Sequence, residues 1–227
     1  MSNTTIQRYS TFYNKIAKNL YPAEWVVRIF MGDYPNLHIA EEVTGKSILE
    51  VSCGDGRNFA PLVAKSMQIS ASEVTPQIVK NLEKAYPDIE FKVAINGAIP
   101  FPDRQFDYLL SWNQVYYMGQ EQEKLDFDSH VMEFARVMKP GGKLVVSLPM
   151  SDSFIYEKCK PLNAQYCRIS NDPFEGIRDG EIMRKFDSIE DIRTAFSPLF
   201  NNFIFASSIN DHFGLNNNWH IFVCDRV

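Results

Sequence analysis

The 227-residue chain has no run of five or more lysines and arginines, and its 23 basic and 28 acidic side chains leave a formal net charge of −5. Without a basic stripe, it lacks the electrostatic footprint of a nucleic-acid binder or a polybasic membrane anchor. Apolar stretches such as Leu144–Val146 are short, far below the roughly 18 residues that a membrane span needs. The N-terminus lacks a charged segment followed by an apolar one, so no secretory signal is expected. Cysteine is scarce: Cys53, Cys159, Cys167 and Cys224 fall at spacings that match no zinc pattern, which points to a reduced, cytoplasmic protein with no metal site. Internal repeats and low-complexity tracts are also absent. What is present, 45% hydrophobic and 13% aromatic residues, suits one ordinary soluble domain with a substantial core.

From about residue 47, short apolar or β-branched runs alternate with helix-like segments in the manner of βαβ units. Ser47–Val51 reads as a strand ending in the turn Ser52-Cys53-Gly54-Asp55-Gly56, and Asn58–Met67 as the helix that follows. A second strand runs from Ile69 to about Glu73, after which Thr75-Pro76 opens a helix with an apolar stripe at Ile78, Val79 and Leu82. Ile89–Ala94 and Phe106–Ser111 are the third and fourth strands, and Lys143–Leu148 leaves the Lys139-Pro140-Gly141-Gly142 turn as the fifth. Ser188 with Asp191 forms a capping-box pattern, and Asn202–Ser208 and Trp219–Asp225 complete the set. The ten residues between those last strands are too few for a helical crossover, so the strands form an antiparallel hairpin. The expected fold is α/β: a Rossmann-like sheet of seven strands, mostly parallel with an antiparallel last strand, and helices on both faces.

In such a sheet, ligands bind beyond the carboxyl ends of the strands, where the strand order reverses. Gly54 and Gly56 lie at that place, and Glu73, 17 residues after Gly56, can accept hydrogen bonds from ribose hydroxyls. Leu49-Glu50-Val51-Ser52-Cys53-Gly54-Asp55-Gly56 resembles the first motif of class I S-adenosylmethionine-dependent methyltransferases of the small-molecule type, and Glu73 is similar to their second. Ile99–Asp103 with Phe106-Asp107-Tyr108, and Glu133–Gly142, resemble two further motifs of that family in the same order. The resemblance covers about residues 47 to 149. It implies S-adenosyl-L-methionine as cofactor and transfer of its methyl group to a small molecule, preferably an oxygen nucleophile of a sugar or secondary metabolite. The single domain is expected to divide into an N-terminal helical lid (1–46), a cofactor-binding core (47–149), a substrate-side insertion (150–187) read from its Ser, Asp, Asn, Pro and Gly content, and a C-terminal helix and hairpin (188–227).

Two positions depart from the family. Its first glycine is Ser52 here, and the aspartate that follows its third strand is replaced near Ile95-Asn96. Asn96 can offer a side-chain carbonyl to adenine; if the alignment slips by one, backbone groups such as Gly97 take over. An NAD-dependent oxidoreductase is the competing enzyme reading, but Phe59 stands where a dinucleotide site needs a small third residue. A homologue that binds S-adenosylmethionine without chemistry is the other alternative, since a fold does not establish activity.

By resemblance, Glu50, Ser52, Cys53, Gly54 and Gly56 surround the methionine part of the cofactor, Glu73 with Val74 the ribose, and Asn96-Gly97 the adenine edge. Trp112 and Asn113 fall near the cofactor, Tyr117 near the acceptor, and Tyr13, in a helix that resembles the family's lid, over both. Each aromatic residue has packing as its ordinary alternative. A neutral hydroxyl acceptor would gain from a general base near neutral pH. Of the four histidines, His38 lies in the N-terminal segment before the sheet, His130 is expected to be solvated at a helix start and His220 packed, which leaves His212 as the candidate base beside Tyr117.

Overall fold

The structure is a computed structural model that describes residues 3–15 and 21–227, with side chains for 7–13 and 21–227. Seven strands form the main sheet: β1 (Ser47–Glu50), β2 (Gln68–Glu73), β3 (Glu90–Val93), β4 (Phe106–Ser111), β5 (Met138–Pro149), β6 (Phe200–Ser208) and β7 (Trp219–Arg226). Their spatial order is β6-β7-β5-β4-β1-β2-β3, with β7 antiparallel to both neighbours and the remaining pairs parallel. The expected seven-stranded sheet with its antiparallel last strand is therefore present.

Period-two burial builds the core. Leu49, Leu109, Leu144 and Val146 belong to one apolar cluster, whereas Ile48, Tyr108, Leu110 and Val145 belong to the other. Successive side chains of a strand point to opposite faces, so a sheet covered on both sides reads as a continuous apolar run. Helices α2 (Glu24–Met31), α3 (Phe59–Ala64) and α4 (Pro76–Ala85) cover the second cluster. Helices α5 (Phe127–Val137) and α6 (Ile189–Phe196) cover the first. Ser188 caps α6 by accepting from the Asp191 amide, the local bond its sequence pattern predicts.

Three local features stand apart from that outline. Lys139–Gly142 is not a free turn: Met138 pairs with Phe106 and Lys143 with Tyr108, so the segment bulges out opposite Asp107 within a strand that begins at Met138. Within the insertion, Lys160–Pro161, Tyr166–Arg168 and Ile182–Arg184 form a small antiparallel sheet with Tyr117–Gly119. In the 1–46 segment, α2 is core instead of cover, with Val26 and Phe30 fully buried and Phe30 edge-on to Tyr108. The helix resembling a lid is α1 (Asn3–Lys15), and Ile16-Ala17, the end of the stretch that carries that resemblance, lies outside the described residues. Among the described residues, no helix is long and apolar enough to cross a membrane.

Candidate functional site

The strand order reverses at β1 and β4, and the segments leaving β1, β2, β3 and β4 line one cavity of about 1040 Å³. That is at the upper end of the roughly 300–1,000 Å³ range for small-molecule sites. Its floor is the turn after β1, where Ser52 (φ +52°), Gly54 (φ +58°) and Gly56 (φ +77°) all sit in the left-handed region. Only glycine adopts that region without strain, which explains the glycine the family places where Ser52 stands. A Cβ on Gly54 would come within 2.6 Å of the Tyr13 hydroxyl. The missing side chain is what lets Tyr13 close over the turn.

Glu73, at the end of β2, accepts from the Gly54 amide (3.0 Å) and the Thr75 amide (3.2 Å), one on each oxygen. Each carboxylate oxygen retains a further lone pair. Burial holds its pKa above the ordinary range even so. Tyr13 stays protonated: burial raises its pKa, reinforced by Glu73 and Asp55. Glu50 is 2% exposed. Its Oε1 accepts from Asn58 Nδ2 at 2.8 Å, and Oε2 has no partner among the described residues. Burial pushes its pKa up to about 8. The Asn58 carbonyl oxygen accepts in turn from the Ala23 amide, tying the chain before α2 to this turn.

Two more buried acceptors without a partner among the described residues line the cavity. Asn96 Oδ1 is one, on a residue 9% exposed, whereas its neighbour Ile95 is 54% exposed. Gln114 Oε1 is the other, its amide nitrogen being held by Ser111 Oγ at 2.6 Å. An unpartnered buried acceptor carries a desolvation cost of about 1–3 kcal/mol until a donor arrives. Three acceptors and a twice-bonded carboxylate around a glycine turn fit the ammonium, ribose and adenine donors of S-adenosylmethionine.

Past β4 the lining turns aromatic. Asn113 sits at φ +57°, held by a Ser147 hydroxyl that accepts from its amide and donates to its Oδ1. Tyr117 stacks on Tyr116 with ring centres 4.9 Å apart, and its hydroxyl oxygen accepts from Tyr9 (3.0 Å) and Arg178 Nε (3.2 Å). His212 lines the cavity but is exposed. Its Nδ1 accepts from the Asn217 amide at 3.2 Å, an orientation set by Trp219 donating to Asn217 Oδ1. The ring proton is then on Nε2.

Tyr13, Glu50, Ser52, Cys53, Gly54, Glu73, Val74, Asn96, Gly97, Trp112, Asn113, Tyr117 and His212 thus share this one cavity. Gly56 does not line it. A Cβ there would meet the Phe59 ring at 2.7 Å, so Gly56 makes room for the buried Phe59 beneath the turn. The expectation for His130 is overturned: it is 9% exposed and lines the cavity. Its Nδ1 faces the Val115 carbonyl at 3.1 Å, and burial lowers its pKa, so the ring is neutral near pH 7 with Nε2 as an acceptor. Gln114, Tyr9 and Arg178 were also missed. Tyr9 had a signal, since it lies four residues before Tyr13 on the same helix face; Arg178 had none, sitting in a segment without periodicity.

Residues 48–142 match a family profile described as a methyltransferase domain. A probable S-adenosylmethionine-dependent methyltransferase of Mycobacterium tuberculosis is 25% identical over 133 residues, 59% of this chain and 46% of that protein. The chain thus spans about half the length of the curated relatives it matches. A Methanosarcina mazei S-adenosylmethionine-dependent methyltransferase superposes with a TM-score of 0.66 at 17% identity, covering 86% of this chain and 98% of that one. A Burkholderia thailandensis 1,6-didemethyltoxoflavin-N1-methyltransferase, solved with that substrate and S-adenosylhomocysteine, gives 0.64 at 12% identity over 99% and 88%. Motif order, strand order and matched segment agree on a methyltransferase domain over residues 48–142.

Proposed function

We propose that this protein transfers the methyl group of S-adenosylmethionine to a small-molecule acceptor, with an oxygen nucleophile of a secondary metabolite or sugar as the favoured partner. The observation that carries this reading is the division of the cavity. Orphaned acceptors at Glu50, Asn96 and Gln114 flank the glycine turn, and an aromatic half opens beyond β4. When bound, S-adenosylmethionine supplies an electrophilic methyl on a cationic sulfur. Glu50 and Gln114 would take its ammonium group, Glu73 the ribose hydroxyls, and Asn96 the adenine amino group, with Ser52, Cys53, Gly54, Val74 and Gly97 closing around the rest. Trp112 and Tyr13 would screen the sulfonium from water, aromatic faces being attractive to a cation.

The chain's remaining task is to align an acceptor oxygen with the methyl and to exclude water. Tyr117 donates to the acceptor, since two donors already occupy its oxygen. His212 takes the proton of a neutral hydroxyl at Nδ1 when the Asn217 bond opens. Calorimetric titration with S-adenosylhomocysteine, with NAD in parallel, tests the cofactor reading. Saturable binding of the first alone is expected, followed by label transfer from methyl-labelled S-adenosylmethionine to acceptors in a screen. Binding of NAD alone would overturn it.

A further inference from the structure

Arg178 is the one cation that the insertion places against the aromatic half of the cavity among the described residues. Its side chain is 18% exposed, and its guanidinium carbon lies 5.6 Å from the Phe154 ring centre and 5.5 Å from that of Phe174. Nη1 bonds the buried Asp172 carboxylate, and Nε donates to the Tyr117 hydroxyl. Asp172, which is not itself part of the lining, balances the charge and fixes the plane of the guanidinium. Nη2 makes no hydrogen bond to a described residue, so its two N–H groups are available. Tyr117 accepts from both Tyr9 and Arg178, which leaves its own proton to be given outward.

This corner therefore presents donors only, side by side and framed by aromatic rings. The acidic lining residues lie elsewhere or are engaged. Glu50 ends β1, Asp55 lies in the turn after it and Glu73 ends β2, while Glu121 pairs with Lys124 and Asp126 caps α5. Two adjacent donors, one on a guanidinium, match the two oxygens of a carboxylate, and flanking rings match a flat apolar body. We infer that the acceptor is a planar aromatic molecule bearing a carboxylate, whose oxygens are held by Arg178 Nη2 and the Tyr117 hydroxyl. Arg178 and Tyr117 are then specificity-determining residues, and a neutral sugar, having neither an aromatic ring nor a carboxylate, is disfavoured. This inference rests on the methyltransferase reading and narrows its acceptor.

The test is calorimetry on the full chain saturated with S-adenosylhomocysteine, titrated with the three isomeric hydroxybenzoates, with their methyl esters, and with glucose. At least one hydroxybenzoate should bind saturably, its ester and glucose roughly tenfold or more weakly. Tyr117→Phe and Arg178→Lys should each weaken the hydroxybenzoate by a similar factor while leaving the S-adenosylhomocysteine affinity as it was. Because Arg178→Lys disturbs the Asp172 pair, Asp172→Asn/Arg178→Gln serves as a second, charge-balanced variant with the same expected loss. If S-adenosylhomocysteine binds but no hydroxybenzoate does, if ester and acid bind alike, or if the variants bind as the parent does, this inference falls and the methyltransferase reading stands. If S-adenosylhomocysteine itself fails to bind, both fall.

Discussion

Replacing Glu50 with glutamine should remove a pH-dependent instability built into the cofactor end of the cavity. The fully buried carboxyl has a pKa near 8 in the folded protein against an ordinary value of 4.5. Between these values the folded state holds a proton that the unfolded state has released, so stability falls as pH rises. One pKa unit is worth about 1.4 kcal/mol. From pH 5 to pH 7 the parent protein should lose about 3 kcal/mol through this group, and the loss should level off above about pH 8. Glutamine keeps the Asn58 bond but does not titrate, so the Glu50→Gln protein should lack this part of the slope. Its absolute stability carries a separate cost for the unpaired buried amide hydrogens, which is why the slope is the quantity to compare. Urea unfolding of both proteins, stripped of bound nucleotide, at pH 5, 6, 7 and 8 gives that comparison. A cation at Oε2 favours the ionised form, so cofactor binding at pH 7 should release up to one proton in the parent and none in the variant. Calorimetry in buffers of different ionisation enthalpy reads that release. Parallel stability curves from pH 5 to 8 would refute the burial argument.

Glu73→Ala should weaken S-adenosylhomocysteine binding roughly tenfold to a hundredfold, as expected for charge-assisted hydrogen bonds; unchanged affinity by calorimetry would count against the ribose assignment. Ser52→Gly relieves a left-handed serine at about 1–2 kcal/mol and adds about 0.5–1 kcal/mol of unfolded-chain entropy, so urea unfolding should show a net gain of about 0.5–1 kcal/mol. Asp107 accepts from the Ser47 amide and hydroxyl and from Lys139; burial opposes ionisation, but these partners hold its pKa down to about 2. Asp107→Asn should destabilise at neutral pH, with a difference that shrinks as pH falls from the unfolded value of about 3.9 toward 2 and is absent if the bonds contribute nothing. His212→Ala should lower kcat for a neutral hydroxyl acceptor about tenfold or more; an unaltered kcat would remove His212 as the base.

Local chemistry was enough for the elements bounded by turn and cap residues. β4 runs from Phe106 to Ser111, the bounds the sequence predicts after the Pro100–Asp103 turn, and Ser188 caps α6 through a bond between residues three apart. The glycine turn with Glu73 was also legible, because both answer to constraints within one βαβ unit. Positive φ after β1 and a carboxylate at the end of β2 do not depend on anything distant.

The acceptor end was decided by tertiary structure. The strands Lys160–Pro161, Tyr166–Arg168 and Ile182–Arg184 are two or three residues each, too short for a period, and exist because they pair with one another and with Tyr117–Gly119. His130 looked solvated at a helix start, yet the loop carrying Val115 covers it and accepts its ring hydrogen bond. Arg178 reaches Tyr117 across 61 positions and Tyr9 joins them across 108. Sequence alone determined the sheet, its switch point and the cofactor motif, because these arise from periodicity and short-range backbone geometry. The acceptor pocket arises from side chains that only chain crossovers bring together, so only the folded molecule could decide it.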